Sequence, residues 1–258
     1  MLIYGINSVS EALRAGTVSE VFVSARHDRR LEKLLNIARS SGVGVRRIER
    51  SGLDGFAQGG VHQGVVARVG KLREFGVEDL VRAAAGPALI LMVDGVEDPQ
   101  NFGALIRTAD AAGLDGVVYQ TRRSSPTSSA AMKSSAGAMA HVRLAPVVNI
   151  ARAIDELKSE GVWSVGLAAE EGRSYFEIDW SQPTVIVVGA EGSGLRRLVR
   201  QRCDWLVSIP MRGEVSSLNV SVAAGVVAYE ALRQRLFANV SFNPKTGRKR
   251  QNDLKKPG

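Results

Sequence analysis

The sequence predicts an α/β fold: a parallel sheet covered by helices, preceded by a small α/β unit. Two observations carry this. Continuous apolar runs occur at residues 89–93, 116–119, 162–167, 185–188 and 206–209, and unbroken apolar runs suit strands buried on both faces. Helical patterns lie between or after them, at 101–112, 126–138, 149–160, 195–202 and 218–236. Strand and helix alternating over short connections give a parallel sheet flanked by helices.

Ahead of that series, Ser8-Val9-Ser10-Glu11 has capping-box spacing and opens a short helix. Residues 20–25 are a strand candidate. Leu31, Leu34, Leu35 and Ala38 recur at helical spacing until Ser41-Gly42 ends the helix. Residues 43–48 and 64–69 are further short strands. His62-Gln63-Gly64 reads as a structural turn, and residues 1–69 hold no catalytic constellation. Residues 71–86 form a charged connector with a short helix around 77–85. The chain therefore divides into a unit at 1–70, a linker at 71–86, a larger unit at 87–238 and a tail at 239–258.

The 258 residues are 45% hydrophobic and 23% charged, a globular balance that argues against wholesale disorder. No apolar run approaches the ~20 residues of a membrane span, and the start lacks a signal-peptide pattern. Cys203 is the single cysteine, and His27, His62 and His141 make no spaced metal cluster with it. A soluble, cytoplasmic protein without a membrane span or a structural metal is expected. The formal net charge is +8. Six basic residues and one acid lie between Ser241 and Gly258, so +5 sits in the tail and +3 in the body. That tail reads as disordered. It either binds phosphate backbones in a salt-dependent way or serves as a solubilising end, and alone it establishes no nucleic-acid partner.

In open parallel sheets, ligands sit beyond the carboxyl ends of the strands. The loops after Val93, Val188 and Ile209 are therefore the places for chemistry. The first runs from Asp94 to Gly103, with Arg107 six residues beyond Asn101. A helix N-terminus plus an arginine makes a phosphate site; the alternative is a surface arginine. The second, Gly189-Ala190-Glu191-Gly192-Ser193-Gly194, matches neither the dinucleotide nor the triphosphate glycine pattern. Glu191 would repel phosphate and suits a hydroxyl, an amine or a cation; the loop is otherwise an ordinary β–α turn. In the third, Ser216 or Ser217 can cap the long helix that follows. Asn219, a poor helix former, needs capping or function to explain it. Ala223-Ala224-Gly225 allows close helix approach, within the chain or against another subunit.

Taken together, Asn101 with Arg107, Gly189-Ala190-Glu191-Gly192, and Ser216-Ser217-Leu218-Asn219-Val220-Ser221 resemble the three signature motifs of the SpoU, or TrmH, branch of the SPOUT RNA methyltransferases. Residues 87–236 carry the match. Tyr4-Gly5-Ile6-Asn7-Ser8-Val9 and His62-Gln63-Gly64-Val65 also resemble the amino-terminal substrate-binding domain of the branch's 23S rRNA members. The resemblance implies a C-terminal trefoil knot holding S-adenosylmethionine, a homodimer with its active site at the subunit interface, and RNA as partner. It implies methylation of a guanosine ribose 2′-hydroxyl in the peptidyl-transferase region of 23S rRNA. Residue by residue, it places Gly189, Gly192, Ile209, Met211 and Leu218 at the cofactor, and Arg107, Asn101, Glu191, Asn219 and Ser217 in the catalytic motifs.

Methyl transfer to a ribose hydroxyl needs an in-line nucleophile and somewhere for its proton to go. No histidine lies in the three loops. The family proposal makes Arg107 the base. A guanidinium rarely loses its proton, so the alternative is that Arg107 clamps a neighbouring phosphate and orients the ribose while another group or water takes the proton. Asn101 and Asn219 then fix arginine and hydroxyl, and Glu191 holds the arginine or the loop. The rival readings are a tRNA ribose methyltransferase, a non-catalytic RNA-binding or ribosome-assembly factor, and a nucleotide-dependent oxidoreductase, which the missing glycine fingerprint disfavours.

Overall fold

The computed structural model describes residues 2–25, 29–70, 73–121, 129–135, 137–169 and 172–237. The basic tail at 239–258 lies outside the described residues.

The amino-terminal part is a four-stranded sheet of β1 (Leu2–Tyr4), β2 (Val18–Val23), β3 (Gly44–Arg47) and β4 (Val65–Val69), in the order β1-β4-β2-β3. Only the β2–β3 pair is parallel. Alternation along β2 sends Val21 and Val23 toward α1 (Ile6–Arg14) and α2 (Arg29–Ser40), and Phe22 toward Leu53 of α3 (Arg50–Ala57). The expected capping box does not form. Ser8 lies inside α1 and is buried; the N-cap is Gly5 at φ 93°, and Gln63 Oε1 accepts from Ile6 N at 3.0 Å. Glu11 pairs with Arg14 instead. His62-Gln63-Gly64 is the expected turn: Gln63 and Gly64 have positive φ, and Gly64 N–H donates to His62 Nδ1.

The larger part is a six-stranded, wholly parallel sheet in the order β10-β8-β9-β5-β6-β7. Its strands are β5 (Leu89–Asp94), β6 (Gly116–Gln120), β7 (Leu144–Val147), β8 (Trp163–Leu167), β9 (Thr184–Gly189) and β10 (Trp205–Val207). Its helices are α4 (Val77–Arg82), α5 (Pro99–Ala111), α6 (Ser129–Ser134), α7 (Ile150–Ser159), α8 (Arg197–Arg202) and α9 (Val220–Phe237). The continuous apolar runs have their expected cause. Leu91, Val93, Ile186 and Val188 pack under α5 and α9, while Ile90, Met92, Val185 and Val187 pack under α4, α7 and α8. The first of these layers runs on without a break into the core of the four-stranded sheet.

Two helix expectations change. The segment expected at 126–138 is helical only over Ser129–Ser134. A 3-10 turn at Ala138–Ala140 follows Gly137, whose φ of 96° no right-handed helix tolerates, and 126–128 lie outside the described residues. The last helix begins at Val220. Among the described residues, no helix is long and apolar enough to cross a membrane.

Candidate functional site

The segments after β8, β9 and β10 enclose a cavity of about 370 Å³. Gly189, Gly192, Ile209, Met211 and Leu218, read from the sequence as cofactor residues, all line it. Glu191, Ser217 and Asn219 line it too. The glycine loop has its shape because it doubles back. Ala190 N donates to Gly194 O at 3.2 Å and Gly194 N to Ala190 O at 2.9 Å, while Gly192 and Gly194 take φ of 78° and 63°. A Cβ on Gly189 would collide with the Gly194 carbonyl. Opposite the loop, residues 209–219 lie outside any helix or strand ladder; Asn219 O accepts from Ala223 N at 2.9 Å as the first bond of α9, and the peptide groups at 211–218 enter no such ladder.

Asn219 is the hub of the polar side. Its Oδ1 accepts from Ser221 N at 2.9 Å and Ser221 Oγ at 2.6 Å, so Asn219, and neither Ser216 nor Ser217, caps α9. Its Nδ2 donates to Asn101 Oδ1 at 2.9 Å and to Glu191 Oε1 at 2.5 Å. One residue from each of three loops, at positions 101, 191 and 219, thus meets in a single hydrogen-bonded group. Asn101 is delivered by the start of α5, where Asp98 accepts from Gln100 N and Asn101 N and Pro99 occupies the first turn.

Asn101 and Glu191 also face a second cavity of about 350 Å³, walled by Asp94, Glu97, Asp98 and Arg196. Asp94 is wholly buried and accepts from Arg196 N at 3.0 Å and Arg196 Nε at 2.7 Å, with Arg196 Nη2 also paired to it. This ion pair ties the end of β5 to the segment after the glycine loop. Sequence reasoning assigned neither partner a role. The signal was an aspartate directly ending an apolar strand, where an unpaired charge would be costly.

Arg107 stands apart. It is exposed on α5, six residues or about 9 Å of helix rise beyond Asn101. It lines neither cavity and makes no hydrogen bond or ion pair among the described residues. The next residue, Thr108, packs near Gly225 of α9, so Arg107 flanks the α5–α9 contact. Val222, Tyr229 and Leu236 of α9 are each at least half exposed, an apolar stripe at helical spacing with no cover in a single chain. Burial pushes the Cys203 thiol up to about 12, against the lowering pull of Lys158, which disfavours the thiolate.

The chain matches two family models: the SpoU rRNA Methylase family over residues 88–229, and the RNA 2'-O ribose methyltransferase substrate binding family over residues 2–75. It is 44% identical to the 23S rRNA (guanosine-2'-O-)-methyltransferase RlmB of Xanthomonas axonopodis pv. citri, over 92% of this chain and 97% of that protein. It is 45% identical to the RlmB of Haemophilus influenzae, over 91% of this chain and 98% of that one. Among solved structures, the SpoU methyltransferase AviRb of Streptomyces viridochromogenes in complex with AdoMet superposes with a TM-score of 0.78 at 26% identity, covering 92% of this chain and 90% of that chain.

Proposed function

The chain belongs to the SpoU rRNA methylase family, and from that premise we infer that it methylates the ribose 2′-hydroxyl of a guanosine in 23S rRNA, using S-adenosylmethionine. The observation that carries this reading is the gathering of Gly189, Glu191, Gly192, Ile209, Met211, Ser217, Leu218 and Asn219 on one cavity, in a chain that aligns with 23S rRNA guanosine methyltransferases over 92% of its length. The cavity fits the cofactor. Leu167, Val188, Ile209 and Leu218 offer apolar walls, and the turns at 189–194 and 209–219 offer main-chain donors and acceptors. When bound there, S-adenosylmethionine supplies an activated methyl group.

The chain's own residues do the rest. Asn219 and Asn101 orient the hydroxyl, and Glu191 holds Asn219 in place. Ser217 closes the cavity rim. Arg107 keeps its charge, clamps a substrate phosphate and sets the ribose in line, and the hydroxyl proton passes to water as the methyl group is transferred and the cofactor leaves as the neutral thioether. Two copies pairing through the exposed stripe of α9 bring Arg107 of one chain to the cavity of the other, so the active unit is a homodimer.

The same reading takes residues 1–70 as the RNA-binding unit, 71–86 as the linker, whose helix α4 packs on the larger sheet, and 87–238 as the catalytic unit of a cytoplasmic enzyme. It takes the C-terminal chain as a trefoil knot. Three features support that threading: β10 sits outside β8, Ser174 bridges to Ser208, and α9 returns so that Arg235 reaches the carbonyls of Ala88, Trp180 and Gln182.

The test is a ribose-methylation map of rRNA and tRNA in a host with and without the gene. One 23S rRNA guanosine should lose its 2′-O-methyl group and regain it with the wild-type gene alone, not with Arg107→Ala. An unchanged map, or a loss confined to tRNA, contradicts the reading.

A further inference from the structure

A third cavity, of about 670 Å³, lies in the four-stranded part of the molecule. It opens beyond the carboxyl ends of the parallel pair β2 and β3, between Ser24 and the segment Arg47 to Arg50, and the turn His62-Gln63-Gly64 closes one side. The wall at that turn is held by hydrogen bonds. His62 is buried, its Nδ1 accepts from Gly64 N at 3.0 Å, and its Nε2 bonds Asp54 Oδ1 at 2.9 Å. Gln63 is pinned through Oε1, which accepts from Ile6 N, and its amide nitrogen is left for another partner. The Ser24 hydroxyl has no hydrogen-bond partner among the described residues.

The charge at the rim is unbalanced. Among the described residues, Arg47 and Arg50 are both exposed and make no ion pair, and Glu49 is the one carboxylate lining the cavity. Unneutralised guanidiniums at a cleft mouth suit phosphates. The cavity itself exceeds what a phosphate needs and falls in the range that accepts a small organic group. Its inner groups, a hydroxyl and a carboxamide, are uncharged and both donate and accept, as base-edge recognition requires. Sequence-specific RNA recognition works on unpaired bases splayed out of the strand.

We propose that this cavity seats one unpaired nucleotide of the RNA substrate, with Arg47 and Arg50 on its flanking phosphates and the base against Ser24 and Gln63. The proposal rests on the reading that the substrate is 23S rRNA and adds the place where the amino-terminal unit grips it. Arg47 and Arg50 act by charge and Ser24 by space, so the two can be separated.

The experiment measures binding of the full-length protein to a 23S rRNA transcript across a salt series, with S-adenosylmethionine affinity as the folding control. Arg47→Glu/Arg50→Glu should weaken RNA binding at least tenfold and flatten the slope of log affinity against log salt by about 2. Ser24→Tyr, which fills the cavity, should weaken binding about tenfold and leave the slope unchanged. Should the tyrosine lower S-adenosylmethionine affinity, Ser24→Met provides the smaller plug. Both variants binding like wild type overturns the proposal. So does loss in the arginine variant alone, because phosphates would then lie on the surface with the cavity unfilled. Wild-type protein that methylates 23S rRNA while these variants bind normally sinks this inference alone; wild-type protein that fails to methylate 23S rRNA sinks the underlying function.

Discussion

The cavity beyond β8, β9 and β10 and the cavity beyond β2 and β3 open at the same topological position, off the carboxyl ends of parallel strands. Their walls differ. The first is shaped mainly by backbone: Gly189, Gly192 and Gly194 fold a loop that no Cβ can enter at Gly189, and alanines, aliphatic side chains and a polar edge of Glu191, Ser217 and Asn219 complete it. The second is shaped by side chains, with exposed Arg47 and Arg50 at its mouth. A site made of backbone holds a compact ligand by fit, tolerates little substitution and is indifferent to salt. A site made of guanidiniums holds a polyanion by charge, tolerates substitution in its fold and loses affinity as salt rises.

The largest expected effect separates binding from turnover. Arg107→Ala should lower kcat by about 10³-fold or more while S-adenosylmethionine affinity stays within twofold, read by single-turnover methylation and calorimetry. Next comes the backbone-built cavity. Gly189→Val should weaken S-adenosylmethionine binding by about 10²-fold, because the side chain meets the Gly194 carbonyl. Unaltered affinity would break the claim that this wall has no room. A smaller effect is expected at the clamp behind the loop. Asp94→Ala should cost about 2 kcal/mol and lower Tm by about 5 °C, less than a fully buried pair would, since Arg196 is partly exposed and can rehydrate. The smallest effect sharpens the contrast directly. Raising salt from about 50 to 200 mM should weaken RNA binding about tenfold through Arg47 and Arg50 alone and change S-adenosylmethionine binding less than twofold.

The two regions also differed in how far the sequence betrayed them. The six-stranded sheet was legible because strands such as β5 and β9 are buried on both faces and show it as unbroken apolar runs. β7 escaped because Pro146 interrupts it at the sheet edge. In the smaller sheet, β1 has only three residues, and α3 carries Gly52 and Gly55 with no side-chain cap. The cap on α1 comes from Gln63, 57 residues away, while the local Ser8 pattern misleads. At the site, short motifs pointed to the residues that line the cavity. They said nothing of the Asp94–Arg196 pair, which joins positions 102 residues apart, or of the gap between Arg107 and the Asn219 group. Contacts fixed by tertiary packing leave no local period to read.

The central claim is that a methyl group held in the glycine-walled cavity is delivered to a guanosine 2′-oxygen under the control of Arg107. The direct measurement incubates the purified protein with methyl-labelled S-adenosylmethionine and a 23S rRNA transcript, then identifies the labelled nucleoside by digestion and mass spectrometry, with Arg107→Ala run in parallel. The account predicts label in 2′-O-methylguanosine at a single position, and none with the variant although it still binds S-adenosylmethionine. Label on a base, or undiminished labelling by Arg107→Ala, would contradict it.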